Sequence, residues 1–254
     1  MTSTLPLRAA TRRLPLAGTY NFRDVGGYAV GERFTRWGKL FRSDALHAVD
    51  QTGRDTLAGL GLGLVVDLRE NDERETAPNA LNGVGHRDVH VPVYDGPIEY
   101  TASDHPGAAF DLEGLYLQML REHGGALTNA VRLIAASGDA PVLVHCTAGK
   151  DRTGLVVALT LSAVGVDDRD VIADYALSET MLHGEWADAM LASFRDRELP
   201  DGFDVEGVVS ASPAPLMRRT LAVIEADHGG ARRYLLAHGM TESELTDLRA
   251  AILS

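Results

Sequence analysis

Ten consecutive residues, His145-Cys146-Thr147-Ala148-Gly149-Lys150-Asp151-Arg152-Thr153-Gly154, hold the chain's one cysteine and the groups needed to displace a phosphoryl group. Cys146 supplies a thiol nucleophile. Arg152, six positions on, can hold two equatorial phosphoryl oxygens with its planar fork, and its grip strengthens as charge spreads in the transition state. Gly149 lets the backbone curve close to an anion, and the Thr153 hydroxyl can donate to the sulfur as it leaves. The run sits between a short apolar strand, Val142 to His145, and an apolar helix, Gly154 to Val166. A loop so placed can turn successive N–H groups inward, making an anion nest completed by the positive end of the helix. Thr147, Ala148, Gly149, Lys150, Asp151 and Arg152 are therefore the expected phosphate-binding residues, and their field favours a thiolate at Cys146.

Departure of an alcohol or phenol needs a proton, and general acid help is typically worth about 100- to 10,000-fold. Asp151 is the favoured donor: a thiolate and a phosphate beside it help it keep a proton, while Lys150 pulls the other way. Asp95, Asp104 and Asp111 are its rivals, each also readable as a turn or capping residue. Lys150 is one of only two lysines, with Lys39, so its place in the loop points to a purpose. Three are open: charge for substrates with more than one phosphate, an ion pair with a neighbouring carboxylate, or a solvated surface position. His145 is expected to orient the cysteine from the strand end, with a satisfied core histidine as the plainer reading.

The elements that must carry this loop can be read around it. At 254 residues, 45% hydrophobic and 24% charged, the chain has ample apolar material for one large domain, expected to span residues 1–254. Strand-like runs at Leu64 to Arg69, Val89 to Val93 and Val142 to His145 alternate with helical patterns at Leu112 to Arg121 and Leu127 to Ala136, with Gly124-Gly125 as a break. That order implies an α/β fold with a mostly parallel central sheet flanked by helices. The tail reads as extra helices: Asp167 and Asp168 start one through Leu177, Ser212-Pro213 caps another, and Thr241 with Glu244 forms a capping box. Leu182, Trp186, Met190 and Phe194 recur every fourth residue, and region 179–215 can be core packing or a helical lid.

A net charge of −12 argues against nucleic acid or an anionic membrane as partner. One cysteine permits no internal disulfide, and the nine histidines form no HExxH-type ligand pair, so neither metal nor cofactor is expected. The first twenty residues contain no apolar run suited to a signal peptide, and no stretch is long enough to span a bilayer, so a cytoplasmic protein is expected.

The loop resembles that of the cysteine-dependent protein tyrosine phosphatase superfamily, marked by His-Cys, five residues, Arg, then Ser or Thr. With Asn21-Phe22-Arg23-Asp24-Val25-Gly26-Gly27, Phe41-Arg42-Ser43-Asp44 and Val66-Asp67-Leu68-Arg69, most of the chain is similar to its bacterial tyrosine/serine phosphatase family. The resemblance implies a phosphatase fold with a helical lid, active without metal on phosphotyrosine, often also on phosphoserine/threonine and phosphoinositides. It also favours Asp151 as donor, with Asp67 and Arg23 as supporting groups. Sulfur transfer and phosphoprotein binding without turnover are the alternatives. The first does not demand the His, Thr and helix-start combination, and the second typically lacks the cysteine, arginine or acid, all present here.

Overall fold

The computed structural model describes residues 12–94, 112–193, 209 and 211–254. In chain order its strands are β1 (Arg23–Asp24), β2 (Ala29–Val30), β3 (Arg33–Phe34), β4 (Leu40–Ser43), β5 (Leu64–Asp67), β6 (Arg87–His90) and β7 (Val142–His145). The helices are α1 (Gln51–Gly59), α2 (Asn71–Thr76), α3 (Leu112–Glu122), α4 (Gly124–Ala136), α5 (Asp151–Val164), α6 (Asp168–Leu182), α7 (Glu185–Ser193), α8 (Ala214–His228), α9 (Ala231–Ala237) and α10 (Glu242–Ile252).

Five strands form one sheet in the order β1-β4-β7-β5-β6, parallel except for β1, which pairs antiparallel with β4 at the edge; β2 and β3 make a separate hairpin. Alternation along the central strands divides the core. Leu40, Val66, Val142 and Val144 face one apolar cluster with α3 to α6 and α8 to α10, while Phe41, Val65 and Leu143 face a second with Phe22, Leu46 and Leu57. With both faces covered, β4, β5 and β7 are buried throughout, as parallel strands in this class must be. β-Pairing register sets Ser43 and Asp67 either side of His145, so three strands deliver polar residues to one carboxyl edge, where open α/β sheets bind ligands.

Helix α5 is buried on nearly every side from Thr153 to Leu161, each large apolar side chain worth roughly 1.5–3 kcal/mol. It ends at Gly165, whose φ of +99° gives the left-handed cap. Helix α6 runs further than the apolar pattern suggests and is capped by Asp167, whose side chain accepts from Arg169 N. The capping box of Thr241 and Glu244 forms as its sequence implies.

Three local expectations are corrected. The break between α3 and α4 falls at His123 rather than at Gly124 and Gly125, which are the first residues of α4; a Cβ at 124 would lie 2.4 Å from the His238 ring and 2.7 Å from the Tyr234 hydroxyl, so glycine is needed there for packing. Pro213, not Ser212, is the cap of α8. Ser212 N instead donates to Glu179 Oε2 (2.9 Å), closing the two ends of region 179–212 on each other. The four-residue stripe belongs to two helices: Leu182 ends α6, Gly184 at φ +87° breaks the chain, and half-buried Trp186 and Met190 lie on α7; Phe194 falls outside the described residues.

Beneath the sheet's β1 edge lies a buried ion cluster. Asp174 on α6 accepts from Arg42 Nη1 (2.6 Å), Arg23 Nε (3.4 Å) and the Tyr28 hydroxyl (3.1 Å). Arg23 Nη2 also donates to the Asp174 carbonyl (2.8 Å) and Ser178 Oγ (3.1 Å). Burial pushes the Asp174 carboxyl up, but Arg23 and Arg42 outweigh it and hold it down to about 2. Because breaking a buried pair strands a charge, Asp174→Asn is expected to cost about 3–5 kcal/mol in denaturant unfolding, and an unchanged midpoint would contradict this account of the brace.

Candidate active site

Cys146 leaves β7 with 2% of its surface exposed, and the chain turns through 147–150 into the first turn of α5. The loop's carbonyls are tied outward in succession. Ala45 N donates to Thr147 O (3.0 Å), Asn21 Nδ2 to Ala148 O (2.9 Å) and Gly149 O (3.1 Å), and Arg42 Nη2 to Gly149 O (2.7 Å). In each trans peptide the N–H opposes its carbonyl, so the N–H groups of Ala148, Gly149 and Lys150 are turned to the concave side. Gly149 has φ +64°, and a Cβ there would stand 2.2 Å from Ser43 O, so β4 can approach the loop only because this residue is glycine.

Two flanking clusters fix these donors. On one side, Asp44 accepts from the backbone N–H groups of Tyr20 and Asn21, and Arg23 Nη1 donates to Asn21 Oδ1, which turns the Asn21 amide nitrogen toward the loop. Arg42 reaches Gly149 while paired with Asp174. Arg23 thus supports the loop through Asn21 rather than lining it.

On the other side, Asp67 Oδ1 accepts from Arg69 N and Nε (both 3.0 Å) and Oδ2 from Arg69 Nη2 (2.8 Å), while Arg74 Nε forms an ion pair with Oδ2 (3.2 Å). Burial raises the Asp67 carboxyl, but the Arg69 hydrogen bonds and nearby charges prevail, to about 2. Asn79 Oδ1 accepts from Arg69 (3.0 Å), so its nitrogen faces Asp67 and His145 Nε2 (3.2 Å). His145 therefore accepts at Nε2 and carries its proton on Nδ1, toward the Cys146 carbonyl (3.4 Å). Burial holds the imidazole down to about 4 against the pull of Asp67, so at neutral pH it is an uncharged spacer at the base of the loop.

Arg152 is anchored by a residue the sequence reading missed. Its Nη1 and Nη2 donate to Glu73 Oε2 (2.5 Å) and Oε1 (2.8 Å), Thr147 Oγ1 donates to Glu73, and the guanidinium stands 5.9 Å over the Tyr94 ring. Burial pushes Glu73 up, but Arg152 and Thr147 hold it down to about 2. The carboxylate takes the Nη1/Nη2 edge, leaving the Nε edge of the fork for an anion. Only the place of Glu73 four residues beyond Arg69, in a charge-rich run, could have drawn notice.

Asp151 accepts from the Tyr116 hydroxyl at Oδ1 (2.8 Å), and its Oδ2 lies 3.6 Å from Lys150 Nζ. Lys150 is buried and donates to Ala211 O (3.0 Å), which excludes the solvated surface position and supplies the ion pair. Thr153 departs from expectation: its hydroxyl is buried on the first turn of α5 and makes no hydrogen bond among the described residues, so the bond to the sulfur is not formed. Asp95, Asp104 and Asp111 lie outside the described residues. Among the described residues no cluster of His, Cys, Asp and Glu could hold a metal ion, and no helix is long and apolar enough to cross a membrane.

A parallel sheet delivering a cysteine, an anion nest and an arginine to one edge defines a cysteine-based phosphatase. Residues 14–254 match the model of the tyrosine phosphatase family, and the chain belongs to that family. It is 31% identical to the triple specificity protein phosphatase PtpB of Mycobacterium tuberculosis, over 96% of this chain and 99% of that one. It is 29% identical to a tyrosine-protein phosphatase of Nostoc commune over 83% and 73% of the two chains. Against the solved P. aeruginosa TpbA, identity is 18% over 78% of this chain and 96% of that one, with a TM-score of 0.29. The chain is a protein tyrosine phosphatase enzyme.

The buried imidazole makes stability pH-dependent. Its folded value lies below the ordinary 6.5, so the unfolded chain binds the extra proton. The contribution is present above pH about 6.5 and is lost as pH falls through about 4, on the order of 3 kcal/mol in all. Urea midpoints measured across that window should fall in the wild type and fall less in His145→Asn; parallel curves would rule the histidine out as the cause.

Proposed function

We propose that the chain hydrolyses phosphoric monoesters through a phosphocysteine on Cys146. The observation that carries this reading is the loop after Cys146, whose Thr147, Ala148 and Gly149 carbonyls are tied outward, turning the N–H groups that follow them to the side where one anion can sit. In the first step the sulfur attacks phosphorus, the bond to the leaving oxygen breaks, and Asp151 gives that oxygen its proton. In the second, water cleaves the thiophosphate, releasing inorganic phosphate and the thiolate. Arg152 holds two phosphoryl oxygens along its free edge, while Glu73, His145, Asp67 and Arg23 keep the loop and its arginine in place.

The substrates in this reading are phosphotyrosine and also phosphoserine/threonine proteins, with phosphoinositides as a further class. The triple specificity named for the M. tuberculosis relative supports the breadth. Lys150, held against Asp151, offers a cation beside the bound phosphate. Within region 179–215 the described residues Ala211 and Glu185 meet Lys150 (3.0 Å) and Tyr20 (3.5 Å), which supports reading the region as a helical lid.

Phosphate release from phosphotyrosine, phosphoserine and phosphothreonine peptides and from phosphoinositides tests the reading. Cys146→Ser should lose turnover yet retain phosphate binding; near-normal turnover would sink the mechanism. Asp151→Asn should lower kcat/KM by about 100- to 10,000-fold for poor leaving groups and far less for good ones. Glu73→Gln should lower kcat/KM by about 100-fold by releasing the guanidinium from its orientation, and an unaltered value would show that the arginine needs no such anchor.

A further inference from the structure

Tyr116, on α3, is fully buried, and its hydroxyl lies 2.8 Å from both Asp151 Oδ1 and the Tyr175 hydroxyl. A phenol has one proton, so facing an ionised Asp151 only one arrangement satisfies all three groups: Tyr175 donates to Tyr116, and Tyr116 donates to Asp151. Burial holds both phenols well above their ordinary range, so both remain protonated. The rings meet edge to face, with centroids 6.1 Å apart and planes at 82°, and Tyr175 packs against Gly154, where a Cβ would lie 3.0 Å from its ring. Three helices, α3, α5 and α6, therefore converge on one carboxyl oxygen.

We propose that Tyr116, backed by Tyr175, is the positioning residue for the proton donor: it ties Oδ1 of Asp151 into the core, so that Oδ2 is the oxygen that carries and gives the proton. The inference rests on Asp151 being the donor. The Asp151 side chain is 25% exposed, and a tether on Oδ1 leaves Oδ2 as the oxygen available to a leaving group. When Oδ2 gives its proton to the leaving oxygen, the carboxylate that forms already has the Tyr116 O–H on one oxygen and Lys150 Nζ 3.6 Å from the other. No atom has to move to solvate the new charge.

The test compares kcat/KM for aryl phosphates with good and poor leaving groups in wild type, Tyr116→Phe, Tyr175→Phe, Asp151→Asn and the Tyr116→Phe/Asp151→Asn double variant. Tyr116→Phe keeps the ring and should cost about 10-fold with a poor leaving group and little with a good one, with no further loss in the Asp151→Asn background. Tyr175→Phe should act in the same direction but less. Equal loss on both substrates, or loss that adds fully to that of Asp151→Asn, would show that the tyrosine supports only the fold. The two readings fail separately. If Asp151→Asn is itself indifferent to the leaving group, Asp151 is not the donor; if Asp151→Asn discriminates and neither tyrosine variant does, only the positioning role falls.

Discussion

A loop that turns its N–H groups toward one anion must turn its carbonyls the other way, and each of those carbonyls then needs a donor inside the protein. Here the donors are Ala45 N, Asn21 Nδ2 and Arg42 Nη2. The rest of the β1–β4 side of the molecule follows from holding those three. Asp44 fastens the backbone of Tyr20 and Asn21, Arg23 turns the Asn21 amide, and Asp174 compensates both Arg23 and Arg42 from a helix far along the chain. Buried ion pairs are weak sources of stability in general. Their value in this place is geometric, since each guanidinium meets a fixed carboxylate on one edge and a loop or neighbouring acceptor on another.

The β5–β7 side solves a different problem. Cys146 needs a rigid and uncharged neighbour at the strand end, because a charged imidazole there would have to be buried. Asp67, Arg69 and Asn79 supply a network in which the charges compensate each other and the neutral histidine is left to accept a hydrogen bond. The two sides share an economy: a carboxylate holds an arginine, and the arginine or its amide partner holds the loop.

How much of this was readable in advance depended on whether the chemistry was contiguous. The loop was legible because one strand, one turn and the start of one helix carry it within ten residues, and β5, β7 and α5 were legible because they are continuous apolar runs. Pairings across the chain were not. Nothing in the sequence of α6 says that Asp174 faces Arg42, or in that of α3 that Tyr116 faces Asp151, since the partner lies on a distant element that the local pattern does not name. Glu73 was hidden by its surroundings: in Asn71-Asp72-Glu73-Arg74-Glu75 it is one acid of three, and only the fold distinguishes it. Lys150 was legible in part: its rarity pointed to a purpose and a neighbouring carboxylate was one of its readings, but only the fold shows it buried and bonded to Ala211.

Helix α2 has no buried side chain. It is held by Glu73 on Arg152, by Arg74 on Asp67, and by its own capping box, so its place depends on ion pairs rather than on apolar packing. In the proposed mechanism Arg152 serves α2 along one edge and phosphate along the other, which links occupancy of the site to the ordering of this helix, and the linkage is reciprocal. Ionic strength enters the same relation, because screening acts on ion pairs that hold α2 more than on the apolar contacts that hold the packed helices.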